Sequence, residues 1–95
     1  MCYIITMKYS VEITNQAHKQ LMALQQNSRE RVAERIADLG NNPDNSALDV
    51  KPLKGDPEAR FRLRVGVYRV KFNREDKLKI ISIIRIVDRK EAYKK

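Results

Sequence analysis

Apolar and polar residues alternate strictly in three short stretches of the chain, at residues 9–13, 60–65 and 68–72. A period of two places successive side chains on opposite faces of a strand, so each stretch predicts a half-buried β-strand. The alternation changes phase at Gly66, as expected where two strands meet in a tight turn and keep their apolar residues on one face. The pattern therefore predicts a β-hairpin over residues 60–72.

Helical periodicity follows the first of these strands. Thr14 or Asn15 can serve as the N-cap of a helix, and Ser28 can cap a second helix that ends at Gly40. The apolar positions of the first helix are Ala17, Leu21 and Leu24. Those of the second helix are Val32, Ile36 and Leu39. The short polar connection between the two predicts an antiparallel helix hairpin.

The remaining segments complete an α+β fold. Residues 41–57 hold all three prolines and predict an extended loop, and residues 73–77 predict a polar turn. Residues 78–87 are rich in β-branched side chains, which is typical of a central strand buried on both faces. We expect one domain over residues 1–95: an N-terminal strand, the helix hairpin and a three-stranded antiparallel meander, forming one twisted sheet. Two alternatives stay open for the N-terminus: the first strand could begin earlier, because Tyr3, Ile4 and Ile5 favour strands, or residues 1–6 are an N-terminal extension if Met7 is the true start.

The positive charge is confined to the second half of the chain. Of the formal net charge of +8, residues 1–50 contribute −1, with five Lys and Arg against six acids. Residues 51–95 contribute +9, with fifteen against six. A one-sided basic field suits a phosphate backbone or an acidic protein partner, although a solvated face is the plainer explanation.

The scarcity of other reactive groups narrows the chemistry. His18 is the only histidine and Cys2 the only cysteine, which excludes a paired-histidine mechanism, a zinc site and an internal disulfide. The adjacent acids Glu75 and Asp76 lie in a predicted turn among lysines and are interpreted as solvated. They therefore do not indicate the acidic site that a two-metal nuclease requires. We predict no metal, no cofactor and no membrane span, and a cytoplasmic location.

The predicted hairpin directs five basic side chains away from the core: Arg60, Arg62, Arg64, Arg69 and Lys71. Arginine offers a planar fork that matches phosphate oxygens and stays charged at physiological pH. RNA can be cleaved without a metal when its own 2′-hydroxyl attacks the adjacent phosphorus, provided that the enzyme aligns the groups and stabilises the phosphorane charge. A tyrosine among guanidinium groups would be a better proton acceptor than usual. The pattern favours phosphate binding over a merely solvated face.

Two segments resemble the RelE/ParE superfamily of type II toxins. The first, PLKGDPEARFRLRVGVYRVKF, contains a KLKG-like loop and an R-x-R-x-G-x-YRV hairpin. The second, the C-terminal DRKEAYKK, carries an Arg-x-x-x-Tyr motif. Each motif is short, but their order on a basic chain of this length is fairly specific. The resemblance covers the chain from about Met7 onward.

The resemblance implies an activity and a partner. RelE-like members are expected to cleave mRNA in the ribosomal A site without a metal, leaving a 2′,3′-cyclic phosphate and a 5′-hydroxyl. They are restrained by a cognate RelB-like antitoxin, whose acidic or amphipathic segment wraps the toxin and folds on binding.

Residue roles follow position by position from the same resemblance. Arg62 and Arg64 match a basic pair that holds phosphates, and one of them is implied to help activate the 2′-hydroxyl. Arg69 matches the arginine that stabilises the transition-state phosphate, Arg89 the one that assists the leaving group, and Tyr93 a tyrosine that stacks on the base and can accept a proton. The predicted catalytic residues are Arg64, Arg69, Arg89 and Tyr93. The predicted substrate-binding residues are Lys51, Lys54, Arg60, Arg62 and Lys71.

The chain departs from the family pattern at two places. Asp88 stands where several members have a histidine, which puts proton transfer from that position in doubt. Some relatives have lysines where this chain has Arg62 and Arg64. Because arginine is a poorer proton carrier than lysine, positioning and electrostatic stabilisation would contribute more to the rate enhancement here.

Two other hypotheses stay open. A ParE-like protein shares the fold but inhibits DNA gyrase through protein contacts, and Arg89 and Tyr93 argue against it because ParE-like chains generally lack that pair. The chain could also be a non-catalytic nucleic-acid-binding module or a degenerate toxin.

Overall fold

The structure is a computed structural model that describes residues 4–6 and 8–88, and within them it contains two helices and one six-stranded sheet. The helices are α1 (Asn15–Met22) and α2 (Gln26–Asn41). The strands are β1 (Ile4–Thr6), β2 (Ser10–Ile13), β3 (Val50–Pro52), β4 (Phe61–Val65), β5 (Tyr68–Glu75) and β6 (Ile80–Asp88). Their order in the sheet is β1-β2-β6-β5-β4-β3, with β2 and β6 parallel and all other neighbours antiparallel.

The α+β class and the β4–β5–β6 meander are confirmed, but the element order predicted from the sequence is corrected in two places. Strand β1 lies within residues 1–6, for which the sequence left a strand and an N-terminal extension open, and it pairs antiparallel with β2. Strand β3 lies within the predicted loop and pairs with β4 at the edge of the sheet. Its Pro52 is compatible with this position, because an edge strand can dispense with one backbone donor. The half-buried Val50 packs against the core and holds the strand there.

One face of the sheet carries the hydrophobic core, to which both helices contribute. The apolar helix positions predicted from periodicity are in it: Ala17, Leu21, Val32, Ile36 and Leu39 are buried, and Leu24 packs against them. From the sheet, Leu63, Val70 and Phe72 are fully buried. The core therefore separates the helices from the opposite sheet face, where the basic side chains of the hairpin lie.

Strand β6 is central but not buried on both faces, which corrects the sequence-based prediction. Ile81, Ile83 and Ile86 are buried, whereas Ile84 and Arg85 between them are half-buried. The alternation is interrupted because Ile84 is an extra residue in β6, opposite the step from Lys71 to Phe72 in β5. Because of this β-bulge, Arg85 can stand between the buried isoleucines of β6 without being buried itself.

The helix boundaries depend on tertiary contacts as well as on capping residues. Thr14 caps α1 as predicted: its hydroxyl oxygen accepts from the amide of Ala17 at 3.1 Å and donates to the carbonyl of Ile84 at 3.0 Å. Helix α2 begins before Ser28, which is therefore not its cap, and continues through Gly40, whose carbonyl accepts from the Tyr9 amide at 2.9 Å. In the described part of the chain, neither helix is long and apolar enough to cross a membrane.

The hairpin turn depends on Gly66, which has a φ of 59° and is followed by the exposed Val67. We expect Gly66→Ala to lower the free energy of unfolding by about 1–2 kcal/mol, because an L side chain is strained at positive φ. Val67→Ala in the same turn should change it by less than about 0.5 kcal/mol. Urea denaturation measures both, and equal stabilities of the two variants would contradict this account of the turn.

Candidate nucleic-acid interface

The hairpin register places its basic residues directly opposite one another. Arg64 pairs with Arg69, and Arg62 pairs with Lys71. The second pair belongs to a longer cross-strand row, because Lys51 on β3 is the partner of Arg62 and Arg85 on β6 is the partner of Lys71. Like charges that face each other across strands are destabilising, so such a row requires nearby anions.

Arg62 is held by the loop that precedes β3 and is only 7% exposed. Its Nη1 donates to the backbone carbonyl of Asp49 at 2.9 Å and to the Asp49 carboxylate at 3.1 Å. The hydrogen bond from Arg62 holds the pKa of the Asp49 carboxyl below its usual range. Arg62 therefore does not project into solvent as the alternation alone had suggested.

Lys71 and Arg85 are held by the segment that precedes β4. The Lys71 ammonium lies 2.8 Å from the Asp56 carboxylate and 3.9 Å from that of Glu58. Arg85 donates to the Glu58 carboxylate from Nε at 3.1 Å and from Nη2 at 2.6 Å. The hydrogen bond from Lys71 keeps the pKa of Asp56 below its usual range. Three cations of the row are thus engaged by carboxylates.

The other predicted contacts lie towards the hairpin turn and the outer edge of the sheet. Lys51, Lys54, Arg60 and Arg64 are exposed, and Arg69 is half-buried. Arg64, Gly66 and Arg69 line a shallow depression together with Val67 and Tyr68. The exposed Arg64 and the half-buried Arg69 therefore mark the hairpin end of the predicted phosphate-binding surface.

The last described residues of β6 end beside this pair. Val87 is the partner of Arg69, and Asp88 is the partner of Tyr68. Tyr68 itself is half-buried and packs against the core, as expected for a structural residue. Arg89 and Tyr93, the other two predicted catalytic residues, lie outside the described residues, as does Cys2.

A second charged cluster lies at the end of β5 that is far from the hairpin turn, and its members form hydrogen bonds and ion pairs with one another. Arg74 donates to Asp76 at 2.8 Å and to Asp44 at 3.0 Å, and the Tyr9 hydroxyl donates to Asp76 at 2.9 Å. The pKa of Asp76 is lowered, chiefly by the hydrogen bond from Arg74, while the hydrogen bonds to Asp44 and then Asp76 raise the pKa of Arg74. Asp76 is thus a partner in a structural cluster rather than a purely solvated acid.

A metal site would require some of the other ionisable side chains to lie in one group. Among the residues that the structure describes, no three His, Cys, Asp or Glu side chains are grouped as metal ligands would be. His18, the single histidine, is half-buried in α1.

Known proteins of similar sequence identify the family to which this chain belongs. The model of the ParE toxin of the type II toxin–antitoxin system parDE matches residues 11–93. The "Putative toxin RelE1" of Methanocaldococcus jannaschii is 36% identical over 89 residues, which cover 93% of this chain and 98% of that protein. The chain therefore belongs to the RelE/ParE superfamily of type II toxins.

Solved structures support the same assignment and place the chain on the RelE side. An archaeal RelE–RelB complex from Pyrococcus horikoshii matches with a TM-score of 0.74 and 32% identity, over 87% of this chain and 97% of that one. The toxin–antitoxin complex RelBE2 from Mycobacterium tuberculosis matches with a TM-score of 0.71 and 28% identity, over 85% and 98%. The chain is a RelE-like toxin of a type II toxin–antitoxin system.

The lowered pKa of Asp56 predicts how stability depends on pH. Because its charged form is favoured in the folded state, the Asp56–Lys71 contact should stabilise the fold above about pH 4 and lose this effect as pH falls through the lower folded pKa. Asp56→Asn keeps an oxygen that can accept the two backbone hydrogen bonds of its turn. The variant should be less stable than the wild type at pH 7 by about 1 kcal/mol. The difference should shrink towards pH 3 in urea titrations; a constant difference would contradict the assignment.

Proposed function

We propose that this toxin is a ribosome-dependent endoribonuclease that cleaves mRNA in the A site without a metal or a cofactor. The 2′-hydroxyl attacks the adjacent phosphorus, the bond to the 5′-oxygen breaks, and the products carry a 2′,3′-cyclic phosphate and a 5′-hydroxyl. The observation that carries the proposal is the cross-strand pair of the exposed Arg64 and the half-buried Arg69, which lies at the hairpin beside the last described residues of β6.

The two arginines supply the charge that the reaction needs. Arg64 and Arg69 face one another on neighbouring strands, so their guanidinium groups can contact different oxygens of one phosphate. Negative charge builds up on these oxygens in the phosphorane transition state, which fixed cations stabilise more than the ground state. Their main contribution is therefore electrostatic stabilisation and in-line alignment.

Proton transfer and base positioning are assigned to the C-terminal residues. Asp88, the last described residue of β6, is next to the partner of Arg69, and Arg89 follows it in the sequence. In our proposal Arg89 stabilises the departing 5′-oxygen, which takes up a proton from water, and Tyr93 stacks on a substrate base and accepts the 2′-hydroxyl proton. Neighbouring guanidinium groups would lower the cost of the phenolate that this second role requires.

The remaining predicted substrate contacts divide into two groups. Lys51, Lys54 and Arg60 are exposed and would guide the RNA backbone towards the arginine pair. Arg62 and Lys71 already have carboxylate partners, so they would contact RNA only if those ion pairs opened.

The antitoxin partner is proposed from the solved complexes. The similar structures from Pyrococcus horikoshii and Mycobacterium tuberculosis are complexes with an antitoxin. A RelB-like protein with an acidic or amphipathic segment would neutralise the basic surface and block mRNA from it. Both partners would meet the toxin in the cytoplasm, where the ribosomes are.

Inhibition of DNA gyrase is the second candidate, because the matching family model is named for ParE. A gyrase inhibitor acts through protein contacts and needs no phosphate-aligned arginine pair. The two candidates therefore differ in whether Arg69 and Tyr93 are needed for a chemical step.

In vitro translation with mapping of mRNA ends distinguishes them. The wild type should produce codon-phased cuts, and Arg69→Ala and Tyr93→Phe should each slow cleavage by about 10²-fold or more. Lys19→Ala, which removes an exposed cation on α1, serves as the control and should cleave normally. Intact mRNA together with blocked DNA supercoiling would reject the nuclease in favour of the gyrase inhibitor.

A further inference from the structure

Lys71 and Arg85 form a second pair of cations on the sheet face that carries the Arg64–Arg69 pair. They are direct partners on β5 and β6. Lys71 also lies two residues from Arg69 on β5, a distance of about 7 Å along the strand. The two pairs are therefore neighbours on one continuous basic surface. Arg85 was absent from the residues predicted from sequence, because it interrupts an apolar run.

One carboxylate bridges these two cations in the way that a phosphate could. Oε2 of Glu58 accepts from Nε and Nη2 of Arg85, and Oε1 lies 3.9 Å from the Lys71 ammonium. Asp56 binds the same ammonium at 2.8 Å. The two non-bridging oxygens of a phosphodiester have the same capacity to bind one cation each.

The carboxylates are presented by a turn that is built into the fold. Oδ1 of Asp56 accepts from the amides of Glu58 and Ala59 at 2.8 and 3.1 Å, and Ala59 is buried. The Asn73 side chain on β5 accepts from the Arg60 amide at 2.7 Å and donates to the Glu58 carbonyl at 3.3 Å. These hydrogen bonds hold the turn in the position that places Asp56 and Glu58 beside the two cations.

The cluster is nevertheless within reach of a ligand. The side chains of Glu58 and Arg85 are 35% and 31% exposed. A polar hollow of about 200 Å³ lies beside the turn, lined by Asp56, Glu58, Arg60 and Asn73 among others. Because about a third of the Arg85 and Glu58 side chains is exposed, an anion could approach the Arg85 guanidinium from solvent if the Glu58 carboxylate were neutralised.

We propose that Lys71 and Arg85 form a latent phosphodiester site that is closed by Glu58. By closing it, Glu58 confines bound RNA to the hairpin end of the sheet. Glu58 acts here as a built-in competitor of phosphate. The wild type then binds free RNA more weakly than its net charge would allow, which increases its dependence on a ribosome to present the substrate. The RNA part of this inference rests on the proposed function, whereas the anion site itself does not.

Inorganic phosphate tests the site without RNA or ribosomes. The Nε–Hε signal of Arg85 is followed by NMR during phosphate titration of the wild type, Glu58→Gln and Glu34→Gln. Glu34 is exposed on α2, so its substitution makes the same change in net charge at a distance. We expect a saturable shift in Glu58→Gln with an affinity about tenfold above that of the two other proteins. Equal responses in all three would overturn the proposal.

A single-stranded RNA with 2′-O-methyl groups, which cannot be cleaved by 2′-hydroxyl attack, tests the footprint. In fluorescence anisotropy over a range of salt concentrations, Glu58→Gln should bind more tightly than Glu34→Gln. Its slope of log affinity against log salt should be steeper by about 0.7 for each additional phosphate that is neutralised. The double variant Glu58→Gln/Arg85→Gln should lose this gain, which excludes a general loosening of the fold as its cause.

The possible outcomes separate the two proposals. A gain in phosphate binding in Glu58→Gln supports the latent site even if the wild type fails to cleave mRNA. If wild-type cleavage depends on Arg69 but Glu58→Gln gains neither phosphate nor RNA affinity, the nuclease proposal stands and the latent site is rejected. If Glu58→Gln gains affinity for a polyglutamate peptide but for neither phosphate nor RNA, Lys71 and Arg85 would be a binding site for an acidic protein. This outcome also rejects the latent phosphodiester site.

Discussion

The register of the β4–β5 hairpin is the constraint on which the rest of the molecule depends. The turn at Gly66 aligns Leu63 with Val70 and Phe61 with Phe72 on the core face. The same register necessarily aligns the intervening arginines and lysine on the other face. A slip by one residue would exchange the two sets and place cations in the core, so the requirements of folding and of the basic surface select the same pairing.

Ion pairs with acidic side chains from neighbouring loops offset the mutual repulsion of the cations on this sheet face. Asp49 precedes β3 and binds Arg62, while Asp56 and Glu58 precede β4 and bind Lys71 and Arg85. These acids hold three cations in the middle of the face, whereas Arg64 at the hairpin end is exposed. They therefore influence where a phosphate can bind as well as offsetting the repulsion.

The sequence predicts those parts of the fold and site that follow from local periodicity. The hairpin and both helices were predictable because alternation, helical spacing and the glycine turn are encoded within short windows. The bulge at Ile84 was not, because it depends on how β6 aligns with β5, and so Arg85 was overlooked inside an apolar run. The burial of Arg62 was also missed, since its partner Asp49 lies thirteen residues away in a segment that was predicted to be a loop. Arg89 and Tyr93 lie outside the described residues and stay predictions.

The central claim is that RNA binds at the accessible Arg64–Arg69 end of the sheet. It is tested most directly by mapping amide and arginine side-chain NMR shifts of the wild type on addition of a 2′-O-methyl RNA. We predict the largest shifts at Arg64, Gly66 and Arg69 and smaller ones at Lys71 and Arg85. Shifts concentrated on α1 and α2, or around Arg74 at the far end of the sheet, would contradict the account.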